Sequence, residues 1–266
     1  MPEIHPTAIL EGDINLADNV EIGPGCVLTG PVTIGSHTRL IGHVWLNGPL
    51  TLGEGNTLYP NACLGFAPQD ISWDPKKAGA GLKVGNGNLF REGVNIHRAT
   101  SDDIPTTIGN DNFFMSNTHV AHNATIGNHC AFTSGTLLAG HCIIDDHVIT
   151  GGNSAVHQFC RVGRGAMIAG LSATTRDVPP FFMITGINIA GSLNVIGLRR
   201  SGMSQEDIEA VRWVYKTINR RGKSLKSALE EMKTRAKEPI VKEYIDFIES
   251  TDRAICTSRD NPDRDR

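Results

Sequence analysis

Four histidines and a glutamine near the middle of the chain recur at related spacings: His119 and His122 in NTHVAHN, His141 in LAGHC, His157 and Gln158 in AVHQF. An imidazole accepts a proton from a hydroxyl or an amine near neutral pH, which is what acyl transfer to such a nucleophile requires. Three neighbouring imidazoles also suit zinc, and a polar column also suits the surface of a purely structural protein. The choice depends on whether the elements carrying these residues bring them together.

Those elements repeat every six residues. Ile4, Leu10, Leu16, Ile22, Leu28, Ile34, Leu40, Leu46, Leu52, Leu58 and Leu64 form one frame, which resumes at Val84, Phe90 and Ile96 and again from Ile108 to Ile168. Thr150 is the one polar residue in that last run. A small or β-branched residue usually sits two positions earlier, and Cys26, Cys130, Cys142 and Cys160 occupy that slot. A period of six fits neither a helix nor a plain strand; it is the period of a hexapeptide β-helix, in which three short strands close a coil of about 18 residues. Residues 18 apart then stack at roughly 4.8 Å. His122 falls over Gly140 and Gln158, with His141 and His157 one residue to the side, so five polar groups share one edge of the prism. Cys142 falls over Cys160, where packing of small side chains is expected.

Two segments leave the frame. Residues 65–83 (GFAPQDISWDPKKAGAGLK) and 98–107 are polar excursions, and long loops on a rigid repeat tend to carry function. After Arg176 the repeat is expected to stop at DVPPF, because Pro179 and Pro180 cannot continue a ladder. Helices follow: one capped by Ser204 and ended by Gly222, then 224–237 and 239–254, each with an apolar stripe. The division is thus a β-helix over 1–190, a helical part over 191–256 and a disordered tail over 257–266.

A net charge of -3 argues against nucleic acid as a partner. The start, MPEIHPTAIL, has no basic segment followed by an apolar one, and no apolar run approaches the roughly 20 residues that span a bilayer. A cytoplasmic protein with reduced thiols and no stable membrane insertion is expected; the six cysteines include no CxxC pair.

HPTAI near the start, PQD in the first excursion, NIHRAT at 95–100, HVAHN, LAGH, AVHQF, DVPPF and GLRRSG follow one another at spacings that resemble the UDP-N-acetylglucosamine O-acyltransferase family of lipid A biosynthesis. The resemblance covers nearly the whole chain. It implies a left-handed parallel β-helix with a C-terminal helical domain, a homotrimer with active sites between subunits, and no metal or other cofactor. It also implies the first step of lipid A biosynthesis: a 3-hydroxyacyl chain passes from acyl carrier protein to the 3-hydroxyl of UDP-N-acetylglucosamine. His122 matches the family's general base, with Asn123 supporting it, and Asp70 matches a loop carboxylate that contacts the sugar. His119, His141, His157 and Gln158 match the sugar-nucleotide site, Asn194 and Arg200 match nucleotide contacts, and Arg199 stands where another basic residue is frequent. Met167 and Gly170 match the acyl-chain pocket, and Gly170 would leave room for a long chain. Arg220, Arg221, Lys223 and Lys226 could receive an acidic carrier protein.

The chain departs from the family pattern at three places. Asn123 replaces a frequent Asp, so an amide oxygen orients the imidazole without a full charge; Ile196 replaces a nucleotide-contacting Glu and Ser201 a second Arg. These departures support an alternative acceptor within the same class, such as an amino-bearing UDP-sugar; histidines on adjacent coils also resemble the β-helical carbonic anhydrases, which gives a zinc enzyme as the other alternative. The lysine of the first excursion is open among Lys76, Lys77 and Lys83.

Overall fold

The computed structural model describes residues 1–74 and 77–258. Strands of two to four residues wind into three sheets of 11, 9 and 8 strands. The pairing between coils is parallel and steps by 18: Ile4 with Ile22, Leu10 with Leu28, Ile14 with Val32. It steps by 32 from Leu64 to Ile96 and by 24 from Ile96 to Val120, so each polar excursion is a loop inserted into one coil. The result is the parallel β-helix expected from the period.

The frame residues fill the prism. Leu28, Leu58, Leu64, Phe90, Phe114 and Phe132 are fully buried, and the three phenylalanines stack at 5.0 and 4.9 Å. Ile4, at 48% exposure, marks an open lower end. Thr150 is buried, but its hydroxyl pairs with that of Thr136 at 2.7 Å, so the one polar frame residue costs no unsatisfied group. Cys142 and Cys160 are free thiols in the small slot, and burial pushes them up to about 12 and about 11.

The residues that alternate outward differ among the faces. The third sheet shows Thr33, Thr51, Lys83, Thr107 and Thr125. The second shows Ile9, Val27, Trp45 and Cys63 in its lower half, and the first shows Leu89, Phe113, Ala131, Ile149 and Met167 in its upper half.

Several boundaries differ from expectation. Strands Cys63–Phe66 and Leu82–Val84 shorten the first loop to 67–81, and Thr106–Ile108 shortens the second to 98–105, because the loop ends still find ladder partners. The repeat does not stop at the prolines. Val178 bridges Val162 and Met183 pairs with Met167, giving one shortened coil that ends in an antiparallel hairpin of Phe182–Ile184 with Ala190–Leu193.

Four helices follow: α1 Val195–Arg200, α2 Gln205–Ile218, α3 Leu225–Lys233 and α4 Pro239–Glu249. The Ser204 hydroxyl caps α2 by accepting from the Asp207 N–H. α1 is an additional helix, and α3 and α4 end earlier than their apolar stripes suggest. After α4 the chain turns back to the solenoid, where Ile255 bridges Asp177 and Thr257 bridges Ile189. Thr257 is buried and the Ser258 N–H donates to Asn219, so disorder does not begin at 257; the rest of the expected tail, 259–266, lies outside the described residues. Tyr244 of α4, fully buried, donates to the Pro180 carbonyl at 2.7 Å, fastening the helices to the last coil. Among the described residues no helix is long and apolar enough to cross a membrane.

Candidate active site

The corner between the second and third sheets is built from turns around Asn123, His141 and Phe159, with φ of 59°, 59° and 63°. Asn and His tolerate this left-handed region better than most residues. The His141 N–H donates to the His122 carbonyl, and the Phe159 N–H to that of Gly140, each at 3.0 Å, which fixes the coils in register. A Cβ on Gly140 would lie 2.9 Å from Cε1 of His122 and 3.1 Å from Nε2, so the glycine leaves the space the imidazole occupies. His122 meets His141 edge-on at 5.3 Å, and His141 stacks on Phe159 at 4.5 Å. The column expected from 18-residue stacking is present.

One strand back, His119 pairs in register with Asn95 and Leu137, and its Nδ1 bonds the Asn95 side-chain oxygen. His97 lies behind it, ring to ring at 5.3 Å, with Nδ1 donating to the Ala67 carbonyl at 2.7 Å. Nδ1 of His122 is 2.8 Å from Oδ1 of Asn123. A groove of about 470 Å³ runs past these groups, with Gln69, His119, His122, His157 and Gln158 along it and Leu137, Ala139, Ala155 and Ala173 making an apolar floor. One end of such a groove suits a polar, hydrogen-bonding molecule and its floor a hydrocarbon chain.

Electrostatics keep much of this corner neutral. Burial, with His97 and His122 adding to it, lowers His119 to about 4. Burial likewise lowers His97 and His141. Asp70 is lowered chiefly by the Ser72 hydroxyl and N–H, which donate to its Oδ1 at 2.7 and 2.8 Å; it is also close enough to feel His122 and His141, so the first loop brings a carboxylate to the histidines. Among the described residues no three His, Cys, Asp or Glu side chains are grouped to hold a metal ion.

The remaining expected site residues lie elsewhere on the chain. Asn194 is the N-cap of α1: its Oδ1 accepts from Gly197 N–H and its Nδ2 donates to the Gly165 carbonyl, both at 2.9 Å. Arg199 and Arg200 end that helix, and Arg200 lines a second cavity of about 460 Å³ with His129, His147, Arg164, Phe181 and Ser201. This cavity opens at the corner between the third and first sheets and shares no residue with the groove. Met167 faces outward on the first sheet, and Gly170 lies at its far corner over Gly152, where a Cβ would make only ordinary contact. One chain therefore does not bring Asn194, Arg199, Arg200, Met167 or Gly170 to His122. Lys77 and Lys83 are exposed; Lys76 lies outside the described residues.

Gln69 and the floor of Leu137, Ala155 and Ala173 were not foreseen as site residues. The signal was there: each floor residue directly precedes a frame residue, and His119, Leu137, Ala155 and Ala173 are consecutive register partners.

Comparison with known proteins agrees with this architecture. Residues 177–256 match a family model described as UDP N-acetylglucosamine O-acyltransferase, domain 2, and residues 105–140 match the bacterial transferase hexapeptide (six repeats). The chain is 41% identical over 258 residues to the acyl-[acyl-carrier-protein]--UDP-N-acetylglucosamine O-acyltransferase of Aliivibrio salmonicida, covering 95% of this chain and 97% of that one. Identity to the enzyme of the same name from a Janthinobacterium species is 41% over 264 residues, 96% and 99% of the two chains. Among solved structures, UDP-N-acetylglucosamine O-acyltransferase of Moraxella catarrhalis superposes with a TM-score of 0.89 at 36% identity, over 95% of this chain and 99% of that one. The Francisella novicida acyltransferase gives 0.92 at 34%, over 98% and 95%.

Proposed function

Because the chain belongs to the UDP-N-acetylglucosamine O-acyltransferase family, we propose that it moves an acyl chain from acyl carrier protein to the 3-hydroxyl of UDP-N-acetylglucosamine, the first step of lipid A biosynthesis, with His122 as general base. The observation that carries the reading is the groove, in which an imidazole with an amide behind it stands at the head of an apolar floor. His122 takes the hydroxyl proton as the sugar oxygen attacks the thioester carbonyl. The C–O bond forms, the C–S bond breaks, and the proton passes on to the departing carrier thiolate. His119, His157 and Gln158 offer hydrogen bonds to the sugar and its phosphates, and Asp70 approaches from the loop.

The assembly follows from what one chain leaves apart. Arg199 and Arg200 suit a diphosphate, yet they sit a corner away from His122. On the upper coils the first sheet shows Ala131, Ile149 and Met167 and the second shows Leu137, Ala155 and Ala173, and these apolar faces at one height suit a threefold arrangement in which one chain's first sheet meets the next chain's second. That arrangement makes a homotrimer whose sites lie between subunits and gives Met167 and Gly170 a route to the groove of a neighbour. The carrier's acidic surface is assigned to Arg221 and Lys226; Arg220 and Lys223 of the same stretch are paired with Glu231. A cytoplasmic location suits a thiol-bearing enzyme with a carrier-protein donor.

Asn123, Ile196 and Ser201 keep a second acceptor in view, a UDP-sugar bearing an amine in place of the 3-hydroxyl. Mass analysis of the product formed from both UDP-sugars and a pool of 3-hydroxyacyl carrier proteins separates the two. An ester of UDP-N-acetylglucosamine is expected, an amide-only product supports the second reading, and no acylated sugar from either sinks both. His122→Ala is expected to lower kcat about 10³-fold with the fold retained; an active variant removes the role assigned to His122.

A further inference from the structure

Asn123 stands where an amide, unlike a carboxylate, can face its histidine in two ways, and only one leaves His122 a base. With oxygen toward the ring, Nδ1 carries the proton and Nε2 keeps its lone pair. With the NH2 toward the ring, Nδ1 must accept, the proton moves to Nε2, and nothing remains there to take a proton from an acceptor. Something else must decide which way the amide points.

The second inserted loop decides it. Oδ1 of Asn123 lies 3.0 Å from the backbone nitrogen of Thr100 and 2.8 Å from its Oγ1. A peptide N–H can only donate, so the atom facing it is the oxygen; a flipped amide would set two donors against each other. The same oxygen lies 2.8 Å from Nδ1 of His122. At the other end of the loop, Oγ1 of Thr106 accepts from the Asn123 N–H at 2.8 Å, so residues on either side of 101–105 hold Asn123 from two directions. Nε2 of His122 is left on the side of Gly140, which lines the groove.

We propose that Thr100 is a positioning residue that holds the Asn123 amide with its oxygen toward His122 and thereby fixes the imidazole as the tautomer with a free Nε2. This rests on the reading of His122 as the base. The titratable groups facing His122 are His97, His119, His141 and Asp70, none of which is hydrogen-bonded to its ring. With no carboxylate bonded to the ring, the orientation of one amide carries the selection that a charge makes elsewhere.

A carboxylate has two equivalent oxygens and cannot be turned the wrong way, which supplies the test. Thr100→Val keeps the shape and loses the hydroxyl donor. It is expected to lower kcat about fivefold with KM for the sugar nucleotide unchanged. In the Asn123→Asp background the same change is expected to cost less than about twofold. An equal loss in both backgrounds would mean that Thr100 acts only on loop structure, and would overturn the proposal. The tautomer is read without turnover from ¹⁵N-histidine spectra of the full-length protein, with His122 assigned by difference from His122→Gln. Wild type is expected to show Nδ1 protonated and Nε2 bare, and Thr100→Val, which keeps the backbone N–H donor and loses the hydroxyl, to populate the other form in part; a Thr100→Val spectrum like that of wild type would overturn the role given to the Thr100 side chain. A wild-type Nε2–H tautomer sinks the proposal. If the protein acylates no UDP-sugar, the proposed function fails while the spectra still decide the tautomer.

Discussion

Two corners of the same prism carry stacked histidines on left-handed turns, and they are put to different use. His141 and His147 share a φ of 59°. At one corner His122 stands perpendicular to His141, rests over a glycine and bonds an amide at 2.8 Å. At the other, His129 and His147 lie nearly parallel at 5.1 Å, with Asp111 3.8 Å from His129, and the cavity beside them is lined by Asp146, Arg200 and an Arg164 paired with Glu243. Residue type is alike, and His122 itself lies outside the left-handed region, one residue before Asn123, so neither a histidine nor a left-handed turn by itself makes a base. What separates the corners is the ring's partner and the space beneath it: one presents an oriented imidazole to an apolar groove, the other a parallel ring pair beside a cavity of mixed charge that Arg200 lines.

If the corners of neighbouring chains meet, each site takes its base from one chain and its arginine from the next. Chains carrying His122→Ala and chains carrying Arg200→Ala, co-assembled in equal amounts, are then expected to regain activity at about a quarter of their sites. The assay is run at low UDP-sugar, where Arg200→Ala alone has lost about tenfold through KM. A mixture no better than the sum of its parts would place the whole site within one chain.

The space beneath the ring is tested next. Gly140 lies outside the left-handed region, so alanine suits its backbone, but the new Cβ would sit 2.9 Å from the His122 ring and push it aside. Gly140→Ala is expected to lower kcat by about 10²-fold with little change in thermal stability, since a shift of about 1 Å in a reacting group costs that much. Full activity would show that the ring need not lie where it does. A smaller contrast comes from one substitution made at both corners. Asn tolerates φ near 59°, so His141→Asn and His147→Asn remove a ring without straining a turn. His141→Asn is expected to lower kcat about fivefold, and His147→Asn to leave kcat within about twofold and act on KM for the nucleotide. The reverse pattern would exchange the roles of the corners.

The contrast also marks what could be read from the chain. The solenoid was legible because each hexapeptide spends one residue on the prism, and the histidine column because identical coils make height a matter of counting. Counting fails where a coil is not standard. Thr100 lies in a loop across which the register jumps by 24, so its approach to Asn123 follows from no 18-residue sum. The shortened last coil escaped for the same reason, since Met167 meets Met183 sixteen residues on. Asn194 shows a different limit: a motif names a residue, but its amide is occupied at 2.9 Å by Gly197 and Gly165, and the cap it makes is visible only once α1 is formed.

The smallest expected effect concerns what stands behind the catalytic corner rather than on it. His119 is driven to about 4 in the folded protein, mainly because burial penalises its charged form, whereas an unfolded histidine titrates near 6.5. The folded state therefore binds fewer protons in that window. The stabilisation is complete above about pH 6.5, declines as the unfolded chain takes up a proton, and is gone once the pH has fallen through about 4. His97, also lowered by burial, adds to the slope in the same direction. Urea midpoints measured between pH 7 and pH 5 should fall for the wild type and fall less steeply for His119→Gln, which keeps hydrogen-bonding capacity beside Asn95 and cannot take the proton. An unchanged slope would mean that His119 charges freely in the folded protein, and His122 would then face a cation at mildly acid pH instead of a neutral wall.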